Sequence, residues 1–411
     1  MELVERQGAG QGSRIAQLGG DAVTLAGATS HGEPLGKAQQ ESGDQLPDAP
    51  GAELSLTYVG MIGVSTAEDA TLAILQGGAH EANRNARPLH LFTLHPRVAF
   101  IRNAAVEASA MLRASPGDGI TAELEEAYLI LGDGRDHPQL KLGRFFAEVG
   151  RFNPEHFEDS HFVDKPVIHT RLFGPEQLSN GGIRILWPFS GTYRLFYGVQ
   201  SARGETASSF LFEPGEEVGG HGLIARRSRG LRERLHWVRG ETEGTLSEGS
   251  RVVSGLTALW GPNASGMTTT TSIIEADVEL RRTPGPGPLG GLTSFRLEAL
   301  GRRYEAGDPG NADRETLRDW GLVVQGVWRL ERTLAAGMRL EYADGRNGKT
   351  PDPERSRRMR ATASLTRFLG RYVGLRVQYN RDWPTGLQGA ENSFWLQLKL
   401  TTERVDAAYA H

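Results

Sequence analysis

The sequence predicts an all-β chain: one closed antiparallel barrel of about sixteen strands that crosses a membrane. Three observations predict it. From residue 52 onward, apolar and polar residues alternate with a period of two. The polar positions of these runs carry full charges in mid-strand. The connections between runs alternate between long and short, as expected of a barrel with long loops at one rim and tight turns at the other.

Composition narrows the classes. The chain has 411 residues, with 46 Lys and Arg against 50 Asp and Glu, for a formal net charge of -4. That balance argues against a nucleic-acid partner, which calls for a basic face. There is no Cys, so a disulfide framework, a thiolate metal site and a Cys nucleophile are all excluded. No apolar run is long enough for a transmembrane helix. The 53 glycines have no G-X-Y period and suit tight turns and strand positions against crowded neighbours.

Taken in order, residues 1–51 are rich in Gly, Gln, Ser and Asp and read as a flexible extension. They show neither the basic start nor the apolar core of a secretory signal, so a trimmed or misassigned start is expected. Strands are expected at 53–63, 90–100, 103–113, 119–131, 138–147, 181–188, 191–201 and 230–240. They continue at 250–260, 270–282, 291–304, 316–330, 334–344, 356–368, 371–381 and 391–401. Ile274, Ala276, Val278 and Leu280 alternate with Glu275, Asp277 and Glu279. Phe295 and Leu297 flank Arg296 and Glu298; Met338 and Leu340 flank Arg339. Val373, Leu375 and Val377 interleave with Arg376, and Phe394, Leu396, Leu398 and Leu400 with Trp395 and Lys399. In a membrane barrel the charged set (Glu275, Asp277, Arg296, Glu298, Arg339, Arg376 and Lys399) faces a water-filled lumen and the apolar set faces lipid. The barrel therefore occupies 52–401, and 402–411 form a tail.

Odd-numbered connections are often long: 64–89, 148–180, 202–229, 305–315, 345–355 and 382–390. Even-numbered ones tend to be shorter, but 241–249 and 283–290 break the pattern, and 114–118 is short on the long side. Aromatics near strand ends, among them Trp187, Phe189, Tyr193, Trp237, Trp260, Tyr304, Trp320, Phe368, Tyr372, Trp383 and Trp395, read as interfacial girdles.

The stretch from Leu140 to His156 carries Gly150, Arg151, Asn153, Pro154 and His156, and Phe162, Val163, Asp164 and Pro166 follow. This pattern resembles a family of Gram-negative outer-membrane β-barrels labelled zinc-regulated outer-membrane receptors, distant relatives of the phosphate-selective porins. Weaker echoes are Gly261–Gly266, Arg302–Glu305 and Trp395–Lys399. The resemblance covers roughly 52–401. It implies an outer-membrane location, passage of a small polar or ionic solute, contact with lipid and lipopolysaccharide, and a homo-oligomer. The leading 51 residues carry no strand or core pattern of a plug domain. A passive or selective channel is thus expected, with energy-coupled uptake of a metal or chelate as the alternative.

Function is expected in loop 148–180. A long connection without structure of its own is usually functional, and Pro154, Pro166 and Pro175 stiffen this one. Arg151, Asn153, His156, Asp164 and Lys165 are the candidate constriction residues; opposed acidic and basic rows would set a transverse field. Asn153, Pro154, Asp164 and Pro166 could equally pin the loop to the wall. His156, His161 and His169, with Glu158 and Asp164, offer ligands of the type Zn²⁺ accepts, although their spacing is no standard zinc motif. No other cofactor is implied.

Two basic stretches are further candidates for anion or lipopolysaccharide contact, or merely a solvated rim: Arg226, Arg227, Arg229, Arg232, Arg234 and Arg239, and Arg355, Arg357, Arg358 and Arg360. No G-x-S-x-G or HExxH motif occurs, and no catalytic chemistry is expected.

Overall fold

The computed structural model describes residues 50–75, 77–203, 210, 217–226, 230–283, 291–307, 314–385 and 389–403. The extension at 1–49 and the tail from 404 onward lie outside the described residues.

Sixteen antiparallel strands close into one barrel, each paired with its neighbours in sequence. They are β1 (Gly51–Ser65), β2 (Asn85–Ile101), β3 (Ala104–Ser115), β4 (Gly119–Leu131), β5 (Gln139–Phe146), β6 (Ser179–Ser190), β7 (Tyr193–Gln200) and β8 (Leu235–Ser247). The second half holds β9 (Ser250–Pro262), β10 (Thr270–Arg282), β11 (Leu292–Ala306), β12 (Glu315–Glu331), β13 (Leu334–Arg346), β14 (Arg358–Phe368), β15 (Val373–Pro384) and β16 (Glu391–Thr401). Register from Thr57↔Thr401 to Ser65↔Ser393 closes β1 on β16. Closure leaves no open edge, so every strand finds backbone partners on both sides.

The alternation becomes two surfaces. Along β10, Thr271, Ile273, Glu275, Asp277, Glu279 and Arg281 are buried, while Thr270, Ser272, Ile274, Ala276 and Val278 are exposed. Leu256, Met338, Leu340, Phe394 and Leu396 belong to the same exposed apolar outer face, which matches hydrocarbon rather than water.

Two expectations change. β8 runs on to Ser247, so the connection anticipated at 241–249 shrinks to residues 248–249. Thr242 and Glu243 pair with Ser254 and Val253; with polar residues on this stretch, no apolar alternation marks it as strand. The girdle reading also fails in part. Trp187, Phe189, Tyr193, Trp260, Trp320, Tyr372 and Trp383 are exposed, but Trp237, Tyr304, Phe368 and Trp395 are buried inside the barrel. Their parity decides this: Trp395 sits between the outward Phe394 and Leu396.

The interior is not uniformly wet. Residues 147–178, joining β5 to β6, enter the barrel and bring a short helix, α1 (Val167–Phe173), whose seven residues are all buried. Phe152, Val167, Ile168, Leu172 and Phe173 pack with inward Trp237, Leu259, Ile273, Leu300 and Val323. Val59, Leu91, Met111 and Trp395 receive Phe157 and Val163. An inserted apolar loop needs a dry partner, and these inward apolar side chains supply it. At Gly321 on β12 a Cβ would lie 2.6 Å from Ile168, so the missing side chain makes room for the helix.

Candidate functional site: a clamped loop over a charged vestibule

The loop is closed at its neck by its own side chains. Asn153 Nδ2 donates to the carbonyl of Ala147 at 2.8 Å, and its Oδ1 accepts from the Leu178 amide at 2.9 Å. Gln177 Nε2 donates to the carbonyls of Phe152 and Glu155, each at 3.1 Å. Next to the neck, Gly150 takes φ +62°, and an added Cβ would fall 2.2 Å from the Glu298 carboxylate. Only glycine adopts that backbone easily and leaves room for the close approach.

The barrel wall then grips the loop along its length. Glu298 of β11 accepts from the Arg151 amide at 2.8 Å and pairs with His169 Nε2 at 2.7 Å. Glu341 of β13 accepts from the Val167 amide at 2.6 Å. Arg376 of β15 donates to the Ser160 carbonyl at 2.9 Å, and Lys399 of β16 to the Glu158 carbonyl at 2.6 Å. The heaviest clamp is Asp164. Its carboxylate accepts from Arg339 Nη2 at 2.6 Å, Gln378 Nε2 at 2.6 Å and Asn380 Nδ2 at 2.7 Å, and also from Arg360. Burial opposes ionisation of Asp164, but Arg339 and Arg360, with Arg84 behind them, hold its carboxyl well below the usual range.

Beneath the loop lies a cavity of about 880 Å³, bordered by Glu53–Ser55, Asp133–Arg135, Arg251, Tyr372 and Thr402. These residues place it at the end of the barrel that carries the tight turns. Its roof includes Arg151, Glu155, His156, Glu158 and His161 from the loop. Charge on its walls is segregated. On β7–β11 it meets Arg194, Arg239, Arg251, Arg281 and Arg296 against Glu241 and Glu279. On β1–β4 it meets Glu53, Glu107 and Glu126 against Arg97, with His95 between.

Arg151 crosses from the loop to the basic side, with Nη2 2.6 Å from Glu241 and Nε 3.2 Å from Asp277. Arg239 also holds Asp277 at 2.6 Å and Glu275 at 3.4 Å. Arg296 bridges Glu279 at 2.5 Å and the loop's Glu155 at 2.7 Å. On the other side, His156 Nε2 lies 2.9 Å from Glu126 and its Nδ1 3.5 Å from Glu125. Burial would lower the pKa of His156, but those two carboxylates raise it well above the ordinary value.

The five candidate constriction residues therefore divide. Arg151 and His156 border the cavity. Asn153, Asp164 and Lys165 are buried anchors; Lys165 Nζ donates to the Glu155 carbonyl at 2.6 Å, and burial lowers the pKa of its ammonium. The seven charged positions expected to face the lumen all lie on the inner face, but Glu298, Arg339, Arg376 and Lys399 clamp the loop, and Glu275, Asp277 and Arg296 belong to the ion-pair cluster.

The histidine trio His156, His161 and His169 is not brought together. His169 is tied to Glu298 on β11 and His156 to Glu126 on β4, and the metal-compatible cluster among the described residues is His95, His156 and Glu158. His95 escaped the sequence reading because it lies outside the loop. Its parity with buried Leu89, Leu91 and Thr93 was the available signal.

The second basic stretch is also corrected. Arg355, Arg358 and Arg360 point inward and bind Asp319, Asp382 and Asp164, leaving Arg357 exposed. In the first stretch, Arg226 donates to the carbonyls of Asn263, Gly266 and Thr269, Arg232 is exposed, and Arg227 and Arg229 lie outside the described residues.

No protein-family model matches the chain, and no curated protein matches it. Solved structures do. The outer-membrane channel DcaP of Acinetobacter baumannii is 10% identical, with a TM-score of 0.58 over 87% of this chain and 99% of that one. The fold is that of an outer-membrane porin. An anion-selective porin from Comamonas acidovorans matches at 8% identity and TM-score 0.55, over 86% of this chain and 99% of that one. OprB of Pseudomonas putida in its high-pH structure matches at 14% identity and TM-score 0.54, over 85% of this chain and 94% of that one. These superpositions show a shared fold.

Proposed function

We propose that the chain is a porin-like channel of a Gram-negative outer membrane, passing small polar or ionic solutes without performing chemistry. One observation carries the reading: a lipid-compatible closed barrel admits its longest described connection into the lumen, above a vestibule with basic and acidic walls. A fixed loop narrows the passage, and opposed charges orient a dipolar or ionic solute as it enters. The tight-turn end with its vestibule is read as periplasmic, because barrels of this kind keep short turns there.

The fold likeness to DcaP and to the anion-selective porin supports passage of solutes and says nothing of which. The motif resemblance to zinc-regulated receptors agrees with the barrel and leaves the solute open as well. A homo-oligomer in the bilayer belongs to the reading, since one structural relative, OmpT of Vibrio cholerae, is described in a trimer form. Purified full-length protein in a planar bilayer tests the proposal. Stepwise conductance with a salt-dependent reversal potential is expected, and complete absence of conductance from correctly folded barrels would sink it.

A further inference from the structure

The vestibule holds a second feature that the channel reading does not use. His95 on β2 and His156 and Glu158 on the loop border the same cavity. One ligand atom from each lies within 4.8 Å of the others. His95 Nε2 sits 2.5 Å from Glu158 Oε1, and the His95 and His156 rings meet edge-on at 4.9 Å. We infer that these three residues form a binding site for a divalent transition-metal ion of the Zn²⁺ class, open to the vestibule.

The donor set fits. Two imidazoles and one carboxylate make a three-ligand site that leaves the fourth position of a tetrahedron for water or a passing solute. Metal–ligand bonds of about 2.0–2.1 Å put tetrahedral ligands about 3.3 Å apart. The present spacings straddle that value, so rotamer adjustments of less than about 2 Å would seat an ion, within the reach of side-chain rotation.

Two independent features point the same way. Glu158 Oε2 is buried and has no hydrogen-bond partner among the described residues. A buried acceptor without a donor is costly, and a cation would satisfy it. In addition, Glu126 Oε2 lies 2.9 Å from His156 Nε2. A metal-bound histidine commonly gives its other N–H to a carboxylate, which fixes the ring and strengthens it as a ligand.

The local charge also invites a cation. Glu125, Glu126, Glu158 and Asp159 surround the site, against Lys399, whose Nζ is 3.8 Å from Asp159, and the buried Lys165, whose ammonium interacts with Glu125 and Glu158. Ion entry would open the short His95–Glu158 contact and tie β2 to the roof of the vestibule. The site would then link the loop to the wall at β2, away from the Asp164 clamp on β13–β15.

The test uses untagged full-length protein in detergent, titrated with ZnCl₂ in a calorimeter and with CoCl₂ in the visible spectrum. One high-affinity ion per chain and the intense bands of tetrahedral cobalt are expected. His95→Ala with His156→Ala should abolish both, and Glu126→Gln should weaken binding by about 10–100-fold, as loss of an outer-shell partner does. His236→Ala, on the outer face of β8 and outside the loop, should bind like the wild type. Heat-modifiable migration in gels verifies that each variant is folded. No binding of either ion, or binding that survives the double substitution in folded protein, would overturn the inference. The outcome does not depend on conductance, so failure of the channel reading and failure of this site are separately visible.

Discussion

Removing the Asp164 carboxylate should release the loop that narrows the barrel. In Asp164→Ala, four side-chain donors lose their acceptor: Arg339, Arg360, Gln378 and Asn380. Both guanidiniums are buried to within 1% of full exclusion and would face each other without their shared anion. Glu341 still pairs with Arg339 at 2.7 Å, and Asp382 with Arg360 at 3.1 Å, so compensation is partial. Hydrogen bonds to charged groups contribute about 1.5–3 kcal/mol each, but they are not additive here. Breaking a buried ion pair by deleting one partner costs about 3–5 kcal/mol, which is the better guide. That shifts the docked–undocked balance of the loop by roughly 10²- to 10³-fold or more. The barrel ladder does not depend on Asp164, so the loss falls on the loop. Single-channel recording should show larger and noisier conductance, and protease should reach 147–178. Asp164→Asn, which keeps the shape and loses the charge, should fall between. If Asp164→Ala folds and conducts in wild-type steps with a protected loop, the clamp reasoning is wrong.

Arg151→Gln removes one cation from the basic side of the vestibule while Glu241 and Asp277 remain; reversal potentials in a salt gradient should move toward cation preference, and an unchanged value would remove Arg151 from the selectivity-determining set. A charge on the outer face should be costly where one on the inner face is not: Leu396→Arg should destabilise the barrel by about 2–4 kcal/mol near the bilayer midplane, Gln397→Arg by much less, as read by urea unfolding in lipid. Glu81, between β1 and β2, is pushed up to about 7 by burial, with Arg84 and Arg360 opposing and Asp164 adding to the rise. Its proton therefore favours the packed state: the contribution is complete below about 4.5, the unfolded value, and is lost as pH rises through about 7. Conductance and proteolysis of 66–84 should change across that window, and Glu81→Gln should flatten the response.

Much of the architecture was legible along the chain because a barrel strand is a local object. Its period of two follows from the pleat, and one face in lipid with the other inside makes that period visible in residues such as Ile274 and Glu275. Where the code is weak, the reading slipped. Residues 241–245 at the end of β8 hold no apolar side chain and only Leu246 follows, so 241–247 looked like a loop. Trp395 and Trp237 look like interfacial aromatics by type, and only their place in the alternation turns them inward.

The candidate loop was visible from its length, prolines and charges, but the roles within it were not. Asp164 and Arg151 are both charged loop residues in sequence, yet one is sealed among Arg339 and Arg360 and the other borders the cavity. That difference arises from partners about 90 to 200 positions away, brought close by closure of the sheet. The same holds for His95, which meets His156 and Glu158 across 61 and 63 positions of chain. Sequence alone determined the barrel, its two faces and the loop worth examining, because periodicity and turn chemistry act between near neighbours. Tertiary structure decided which charges clamp, which line the vestibule and which histidines converge, because burial and ion pairing depend on what the closed wall places opposite each side chain.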